Sequence, residues 1–152
     1  MRLLNFLQET TVYVNGEDED APYTFKNPLP RLDIRDPRFE DWFERGDAVI
    51  AAWLEAHNLT WRENIAQAKE AIGVPTRLPI NKLLTIEEYL KPSALLRKAG
   101  DKFSSRRPVI YKVDGTYVVS DGNHRVVQAH LNGEKDIEVD LIDVDAFERQ
   151  AA

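Results

Sequence analysis

The first half of the chain carries apolar residues at the spacing of an amphipathic helix. From Phe39 to Leu54 they recur every three or four positions, which places them on one face of a helix. Asp36 and Pro37 suit the N-cap and the first helical position, so we expect the helix to begin there. Gly46 is expected to interrupt it.

A second helix is predicted between Thr60 and Gly73. Thr60 and Glu63 have the spacing of a capping box, in which each side chain accepts a hydrogen bond from the other residue's backbone N–H group. Gly73 suits the end of the helix. Ahead of both helices, residues 10–27 alternate apolar and polar positions around an acidic turn, which predicts a loose hairpin.

The second half of the chain begins with a less regular stretch. Residues 77–84 predict a short strand, and Thr85 with Glu88 predicts a capping box that opens a helix towards Leu90. Pro92 is expected to break this helix, and a further helical piece is predicted at residues 95–96.

A β-hairpin is the strongest local prediction. Residues 109–113 and 116–119 are apolar runs joined by Asp114 and Gly115, the dipeptide that suits a type I′ turn.

A helix over residues 126–131, closed by Asn132 and Gly133, and a last strand over residues 137–144 follow the hairpin. This order of elements predicts an α+β fold with a small mixed sheet and packed helices. We expect residues 1–75 to form a hairpin plus a helical segment, and residues 76–152 to form a compact mixed domain.

The composition argues against several classes of protein. The chain has no cysteine, which excludes disulfides, thiolate metal sites and thiol nucleophiles. No apolar run reaches the ~20 residues of a membrane span, and the N-terminus lacks a signal-peptide pattern. We therefore expect a cytoplasmic protein without a membrane partner. Three histidines without a ligand-spaced pair argue against a zinc site.

Charge is unevenly distributed along the chain. The net charge is −6; residues 1–75 hold 8 Lys/Arg and 14 Asp/Glu, whereas residues 76–152 hold 12 of each. The stretch from Lys91 to Lys112 contains only one acidic residue. A local basic patch can attract a polyanion even on an acidic protein. Its candidate nucleic-acid contacts are Arg97, Lys98, Lys102, Arg106 and Arg107.

The segment from Asp121 to Arg125 has the sequence Asp-Gly-Asn-His-Arg and lies where a predicted strand meets a predicted helix. Free N–H groups and the helix dipole favour an anion there. Gly122 lets the backbone approach a ligand, Arg125 offers a planar set of donors for phosphate, and His124 can donate from one ring nitrogen. The alternative is a helix cap at Asp121, with His124 and Arg125 facing solvent.

The same stretch resembles the signature of the ParB/sulfiredoxin superfamily. Residues 118–129 are similar to its apolar strand, its Asp-Gly-x-His-Arg loop and its Ala-rich helix, and the likeness covers about residues 76–145. The resemblance implies a ParB/sulfiredoxin-like fold in which the loop binds nucleotide phosphates through Gly122, Asn123, His124 and Arg125. Members of the superfamily include CTP-dependent partition clamps, sulfinic-acid reductases, free-serine kinases and nucleases.

Two of these activities are not expected. Sulfiredoxins carry a catalytic cysteine where this chain has Asn123. Partition clamps have Gly-Glu-Arg-Arg in place of Gly-Asn-His-Arg, followed by DNA-binding and dimerisation segments for which about twenty residues after the motif helix leave no room. The Asp-Gly-x-His-Arg form is closer to the kinase-like members and to those of phages and plasmids.

These considerations predict a nucleotide-binding protein that uses Mg²⁺ with ATP or CTP, as a small phosphotransferase or NTP hydrolase. Asp121 would hold Mg²⁺, which prefers one or two carboxylates plus phosphate oxygens. The catalytic candidates are His124, Asp121 and a general base at Glu87 or Glu88. Those two glutamates are alternatively helix-capping or surface residues.

Two other functions stay open on the sequence alone. One is DNA binding or DNA cleavage, with the basic stretch between Lys91 and Lys112 on the DNA phosphates. The other is a non-catalytic interaction module whose acidic N-terminal half engages a protein partner.

Overall fold

The computed structural model describes residues 11–13, 23–91 and 106–152. The N-terminal elements are β1 (Thr11–Tyr13), β2 (Tyr23–Lys26), α1 (Pro37–Ala56) and α2 (Trp61–Ile72). The middle of the chain forms β3 (Val74–Pro79), a 3₁₀ turn (Ile80–Lys82), β4 (Leu83–Leu84) and β5 (Tyr89–Leu90). The last elements are β6 (Val109–Val113), β7 (Thr116–Asp121), α3 (Asn123–Leu131), β8 (Asp136–Asp143) and α4 (Val144–Ala151).

The strands form two sheets. Five of them make a mixed sheet in the order β3-β8-β6-β7-β4, in which β8 and β6 are parallel, as are β7 and β4. The other two pairings of this sheet are antiparallel. A small antiparallel sheet has the order β1-β2-β5. The predicted α+β class and the helical character of the N-terminal part are confirmed.

Helices cover both faces of the five-stranded sheet. Successive strand residues point to opposite faces, so Ile110 joins a hydrophobic cluster with Val126 of α3, whereas Tyr111 joins a second cluster with Ile50 of α1. This second cluster also includes Ala68 of α2. The helices before residue 75 thus share a hydrophobic core with the sheet that follows it.

Helix α1 begins as predicted. The Asp36 Oδ1 atom accepts a hydrogen bond from the Arg38 N–H group at 2.9 Å, and Pro37 opens the helix. The predicted interruption at Gly46 is wrong, because α1 continues to Ala56. Gly46 lies where the ring of Tyr111 meets the helix, and a Cβ atom there would overlap the ring.

Helix α2 follows the predicted N-cap, Thr60, but the Thr60 side chain forms no capping hydrogen bond, so the capping box is not made. Gly73 ends the helix with a φ of −63°, which any residue can adopt. A glycine suits this position for another reason: a Cβ atom at residue 73 would lie 2.8 Å from the Cβ atom of Asp140.

The segment between α2 and the hairpin differs from its prediction. A strand, a 3₁₀ turn and a two-residue strand replace the single strand predicted over 77–84. Residues 85–90 are extended rather than helical, since the buried Thr85 hydroxyl donates to the Pro30 carbonyl oxygen (2.9 Å) and accepts from Asn27 Nδ2 (2.7 Å). Tertiary hydrogen bonds thus replace the expected helix cap. The helical piece predicted after Pro92 lies outside the described residues.

Both hairpins predicted from the sequence are present. Both β1–β2 and β6–β7 pair as antiparallel hairpins. Asp114 and Gly115 have positive φ values of 51° and 74°, as a type I′ turn requires. No helix was predicted after residue 144, but α4 forms there, and its first turn is capped by the Asp143 Oδ1 atom at 2.9 Å from the Ala146 N–H group. Within the described ranges, no helix is long and apolar enough to cross a membrane.

Candidate functional site

A cleft of about 790 Å³ lies at the junction of β7 and α3. Its walls come from α2, the segment after β4, the start of β6 and the motif loop. The loop contributes Ser120, Asp121, Gly122, Asn123, His124 and Arg125. The five residues singled out by the sequence therefore line one cleft.

Gly122 is the turning point of the loop. It is the N-cap of α3 with φ 92° and ψ 29°, a left-handed conformation that favours glycine. A Cβ atom at this position would also lie 2.9 Å from the Pro108 Cα atom. Asp121 ends β7, and no side chain caps α3, so the alternative of a helix cap at Asp121 is wrong. The backbone N–H groups at the start of α3 have no acceptor within the helix.

Asn123 holds the loop to a neighbouring segment. Its side chain is buried, and its Oδ1 atom accepts a hydrogen bond from the Ile86 N–H group at 2.9 Å. The amide oxygen is thus occupied by a contact that fixes the chain after β4 beside the cleft. A phosphate contact by Asn123 would use its backbone N–H group.

His124 is also held by the protein. Its Nε2 atom accepts a hydrogen bond from the Lys91 N–H group at 3.0 Å. An imidazole nitrogen that accepts carries no proton, so in this arrangement the ring is neutral and bears its proton on Nδ1. Protonation of Nε2 would break the contact with Lys91.

Arg125 is exposed at the edge of the cleft. Its Nη1 atom donates to Gln128 Oε1 at 3.4 Å, which is a long contact between exposed groups. Arg125 also lines a smaller adjoining cleft of about 340 Å³. Its guanidinium can therefore turn towards an anion at little cost.

The two predicted catalytic carboxylates, Asp121 and Glu87, both line the cleft, and Glu70 joins them from α2. Glu88, the alternative base, does not line it; its Oε2 atom lies 4.0 Å from Arg31 Nη2. Among the described residues, no group of three or more His, Asp or Glu side chains converges to hold a metal. Asp121 fits Mg²⁺ as the one carboxylate that binds the ion together with phosphate oxygens and water.

The basic residues of the predicted nucleic-acid patch divide into three groups. Arg107 is bound to the sheet, with Nε 2.8 Å from the Oδ1 atom of Asp140 and Nη1 3.3 Å from the Oε1 atom of Glu138. The hydrogen bond with Asp140 raises the pKa of Arg107 above its ordinary value. Arg106 is exposed and lines the cleft. The remaining three, Arg97, Lys98 and Lys102, lie outside the described residues.

Sequence reasoning missed the residues that reach the cleft from the strand and from α2. Ser120 precedes the motif, and Lys69 donates to its Oγ atom from Nζ at 3.5 Å. On the sequence, Lys69 is one of several polar residues of an amphipathic helix, so only the packing of α2 on the sheet distinguishes it.

The charges in the cleft are mixed. Apart from the pair of Arg107 and Asp140, its lining contains three cations, Lys69, Arg106 and Arg125, and three carboxylates, Glu70, Glu87 and Asp121. Such a lining suits an anion that brings a metal cation with it better than it suits a bare polyanion.

Comparison with protein-family models gives no match, and no curated protein matches the chain. The likeness of residues 118–129 to the ParB/sulfiredoxin signature therefore stays a prediction from the sequence.

Proposed function

We propose that the protein binds the phosphate groups of a nucleotide, ATP or CTP, together with Mg²⁺ in the cleft at Asp121–Arg125. One observation carries the proposal: the segment that resembles a phosphate-binding loop lies at the uncapped N-terminus of α3 and lines a cleft large enough for a nucleotide. The ParB/sulfiredoxin-like identity of residues 76–145 is part of the same proposal.

The phosphate would be held by backbone and side-chain donors in combination. The first N–H groups of α3 point towards the helix N-terminus, where the helix dipole also favours negative charge. Arg125 adds a charge-assisted contact from the edge of the cleft. Asp121 would share Mg²⁺ with the phosphate oxygens, and the ion would offset the repulsion between this carboxylate and the phosphate.

Phosphotransfer to a small acceptor, or hydrolysis of the nucleotide, is the reaction that we assign to this arrangement. Glu87 serves as the general base that accepts the proton of the attacking hydroxyl or water. Arg125 stabilises the negative charge on the transferred phosphoryl group. His124, held by its hydrogen bond with the Lys91 N–H group, lines the cleft as a further contact for the ligand.

The proposal predicts that ATP or CTP raises the melting temperature in the presence of Mg²⁺, because a ligand that binds only the folded state stabilises it. At a hundredfold excess of free ligand over its dissociation constant, the stabilisation is about 2.7 kcal/mol. The double variant His124→Ala, Arg125→Ala should abolish the shift. The measurement is a thermal-shift titration with each nucleotide, with and without Mg²⁺.

Arg62→Ala is the matched control, because Arg62 is an exposed arginine of α2 that does not line the cleft. This variant should show the shift of the unsubstituted protein. If no nucleotide shifts the melting temperature at millimolar concentration, the proposal is wrong.

Nucleic-acid binding is the second candidate, and the smaller cleft favours it. Four arginines line that cleft, Arg77, Arg106, Arg107 and Arg125, and three of them also line the larger one. Arginine side chains thus continue from one cleft to the next, as a path for successive phosphates requires. Three carboxylates line the smaller cleft as well, those of Glu134, Asp136 and Glu138. Against it, Arg107 is already paired with Asp140 and Glu138. DNA binding that weakens steeply with salt, and further with Arg77→Ala plus Arg106→Ala, would favour this candidate.

A further inference from the structure

One wall of the cleft is formed by α2. From this helix Lys69, half-buried, donates to the Ser120 Oγ atom at 3.5 Å. An ammonium group has three N–H donors, and this contact uses one of them. Lys69 forms no ion pair with a carboxylate of the described residues.

Behind Ser120 lies a polar pair of which Tyr111 is buried and Asp47 half-buried. The Tyr111 side chain is inaccessible to solvent, and its hydroxyl donates to Asp47 Oδ1 of α1 at 3.1 Å. Burial raises the pKa of Tyr111, and the nearby Ser120 hydroxyl acts in the opposite direction with a smaller effect. Tyr111 is therefore a neutral donor to Asp47, and its phenol oxygen lies beside Ser120.

These four residues lie in a row from α1 to the cleft, in the order Asp47, Tyr111, Ser120, Lys69. Ser120 is two positions before Gly122, and successive Cα atoms are about 3.8 Å apart. The Lys69 ammonium, 3.5 Å from the Ser120 Oγ atom, thus lies within one or two phosphate lengths of the loop. Lys69 lines the cleft together with the loop, so its remaining N–H donors can reach a ligand there.

We infer that Lys69 is a second phosphate-binding residue, and that the ligand carries at least two linked phosphate groups. The inference rests on the proposed function: one phosphate lies at the loop with Arg125, and the next contacts Lys69 of α2. Ser120 acts as a positioning residue for Lys69. Nothing in the motif itself requires this contact, which arises because α2 packs beside β7.

Pyrophosphate is the direct probe, because it has two linked phosphates and no base or sugar. Lys69→Met keeps the aliphatic stem and removes the charge. It should weaken the affinity for pyrophosphate and for ATP with Mg²⁺ about 10- to 100-fold, the range for one charge-assisted hydrogen bond. Lys82→Met is the matched control, because Lys82 is exposed and does not line the cleft; its affinity should match that of the unsubstituted protein. Isothermal titration calorimetry measures both, with circular dichroism to show that each variant is folded.

The role of Ser120 is tested by measuring its substitution alone and together with Lys69→Met. Ser120→Ala should weaken pyrophosphate binding about 2- to 10-fold, the range for a neutral hydrogen bond. In the Lys69→Met background the same substitution should have no further effect, and Ser120→Thr, which keeps the hydroxyl, should restore the affinity. A purely structural role would instead give the same loss in both backgrounds.

The outcomes separate this inference from the proposed function. If Lys69→Met binds pyrophosphate as tightly as the unsubstituted protein while Arg125→Ala does not, the inference is overturned and the loop proposal stands. If Lys69→Met weakens binding and Arg125→Ala has no effect, Lys69 is a ligand of the phosphate and the loop proposal fails. If the unsubstituted protein binds neither pyrophosphate nor nucleotide, both are overturned.

Discussion

Asn123 illustrates how a residue of the proposed ligand-binding loop can also serve the fold. Its amide oxygen accepts a hydrogen bond from the Ile86 N–H group. The two residues are 37 positions apart, so the contact joins the segment after β4 to the start of α3. The same contact places Glu87 next to the loop. The amide at this position therefore organises the cleft without a reactive group.

Asn123→Ala should destabilise the protein by about 1–2 kcal/mol, because the Ile86 N–H group loses its acceptor in a partly buried site. Urea unfolding measures the change. Asn123→Asp is the control, since its carboxylate keeps an acceptor oxygen and lies at a helix N-terminus, where negative charge is favoured. Equal stability of the Ala variant and the unsubstituted protein would show that the contact contributes nothing.

Part of the candidate site could be predicted from the sequence, and part could not. The loop could be predicted because a strand, a glycine and a helix follow one another along the chain. Lys69 and Ser120 could not be paired in advance, because their contact depends on how α2 packs. Nor could the sequence show that the Asn123 Oδ1 atom accepts a hydrogen bond from the Ile86 N–H group.

At the scale of elements, local signals succeeded where neighbouring residues determine the conformation. Asp36 caps α1, and Asp114 with Gly115 forms the turn between β6 and β7. Local signals failed where groups distant in sequence compete for the same side chain. Thr85 has the pattern of a helix cap, but its hydroxyl bonds with Pro30 and Asn27, which lie more than fifty positions away.

Arg45 links three elements on the side of the sheet away from α3. Its Nη2 atom lies 2.9 Å from the Oδ1 atom of Asp114 in the β6–β7 turn and 2.6 Å from the Oε1 atom of Glu148 in α4. Hydrogen bonds with Arg45 lower the pKa of both carboxyl groups, and Trp42 adds to the effect on Asp114. The ion pairs therefore connect α1, the hairpin and α4.

Stability should depend on pH through these pairs. A carboxyl group with a pKa lower in the folded than in the unfolded state stabilises the fold above its unfolded pKa, about 3.9 for Asp and 4.3 for Glu, and this contribution is lost on acidification. Arg45→Met should thus destabilise the protein at pH 7 by about 0.2–1 kcal/mol per pair, since both carboxylates are well exposed. The variant should also lose less stability than the unsubstituted protein between about pH 5 and pH 3.

Urea midpoints at a series of pH values measure this dependence. Arg62→Met is the matched control, because Arg62 forms no ion pair with a described carboxylate, and it should follow the unsubstituted protein. If Arg45→Met has the same acid sensitivity as the control, the pairs do not contribute to the pH dependence.

At the scale of the whole molecule, the helices before residue 75 and the sheet after it share one hydrophobic cluster. Trp42 and Ile50 of α1 pack with Tyr111 and Val118 of the sheet. Neither part could bury these side chains without the other. The sequence suggested a boundary at this point because hydrophobic periodicity changes there, but a change of period marks a change of element and need not mark the end of a core.

The shared core predicts a single cooperative unfolding transition. All three tryptophans lie in α1 and α2, so their fluorescence reports on the helices, whereas hydrogen exchange of β6 and β8 amides reports on the sheet. The two probes should give the same midpoint and the same free energy of unfolding. Two separate transitions would show that the parts fold independently.

Because Gly46 and Tyr111 are in close contact, the side-chain volumes that these two positions can hold depend on each other. A side chain at residue 46 requires a smaller one at residue 111, such as valine, and that replacement would remove the phenol beside Ser120. Homologous chains that carry a side chain at residue 46 should therefore have lost the tyrosine and its interaction with Ser120. The spacing between the helical layer and the sheet and the chemistry of the cleft wall are thus expected to vary together through evolution.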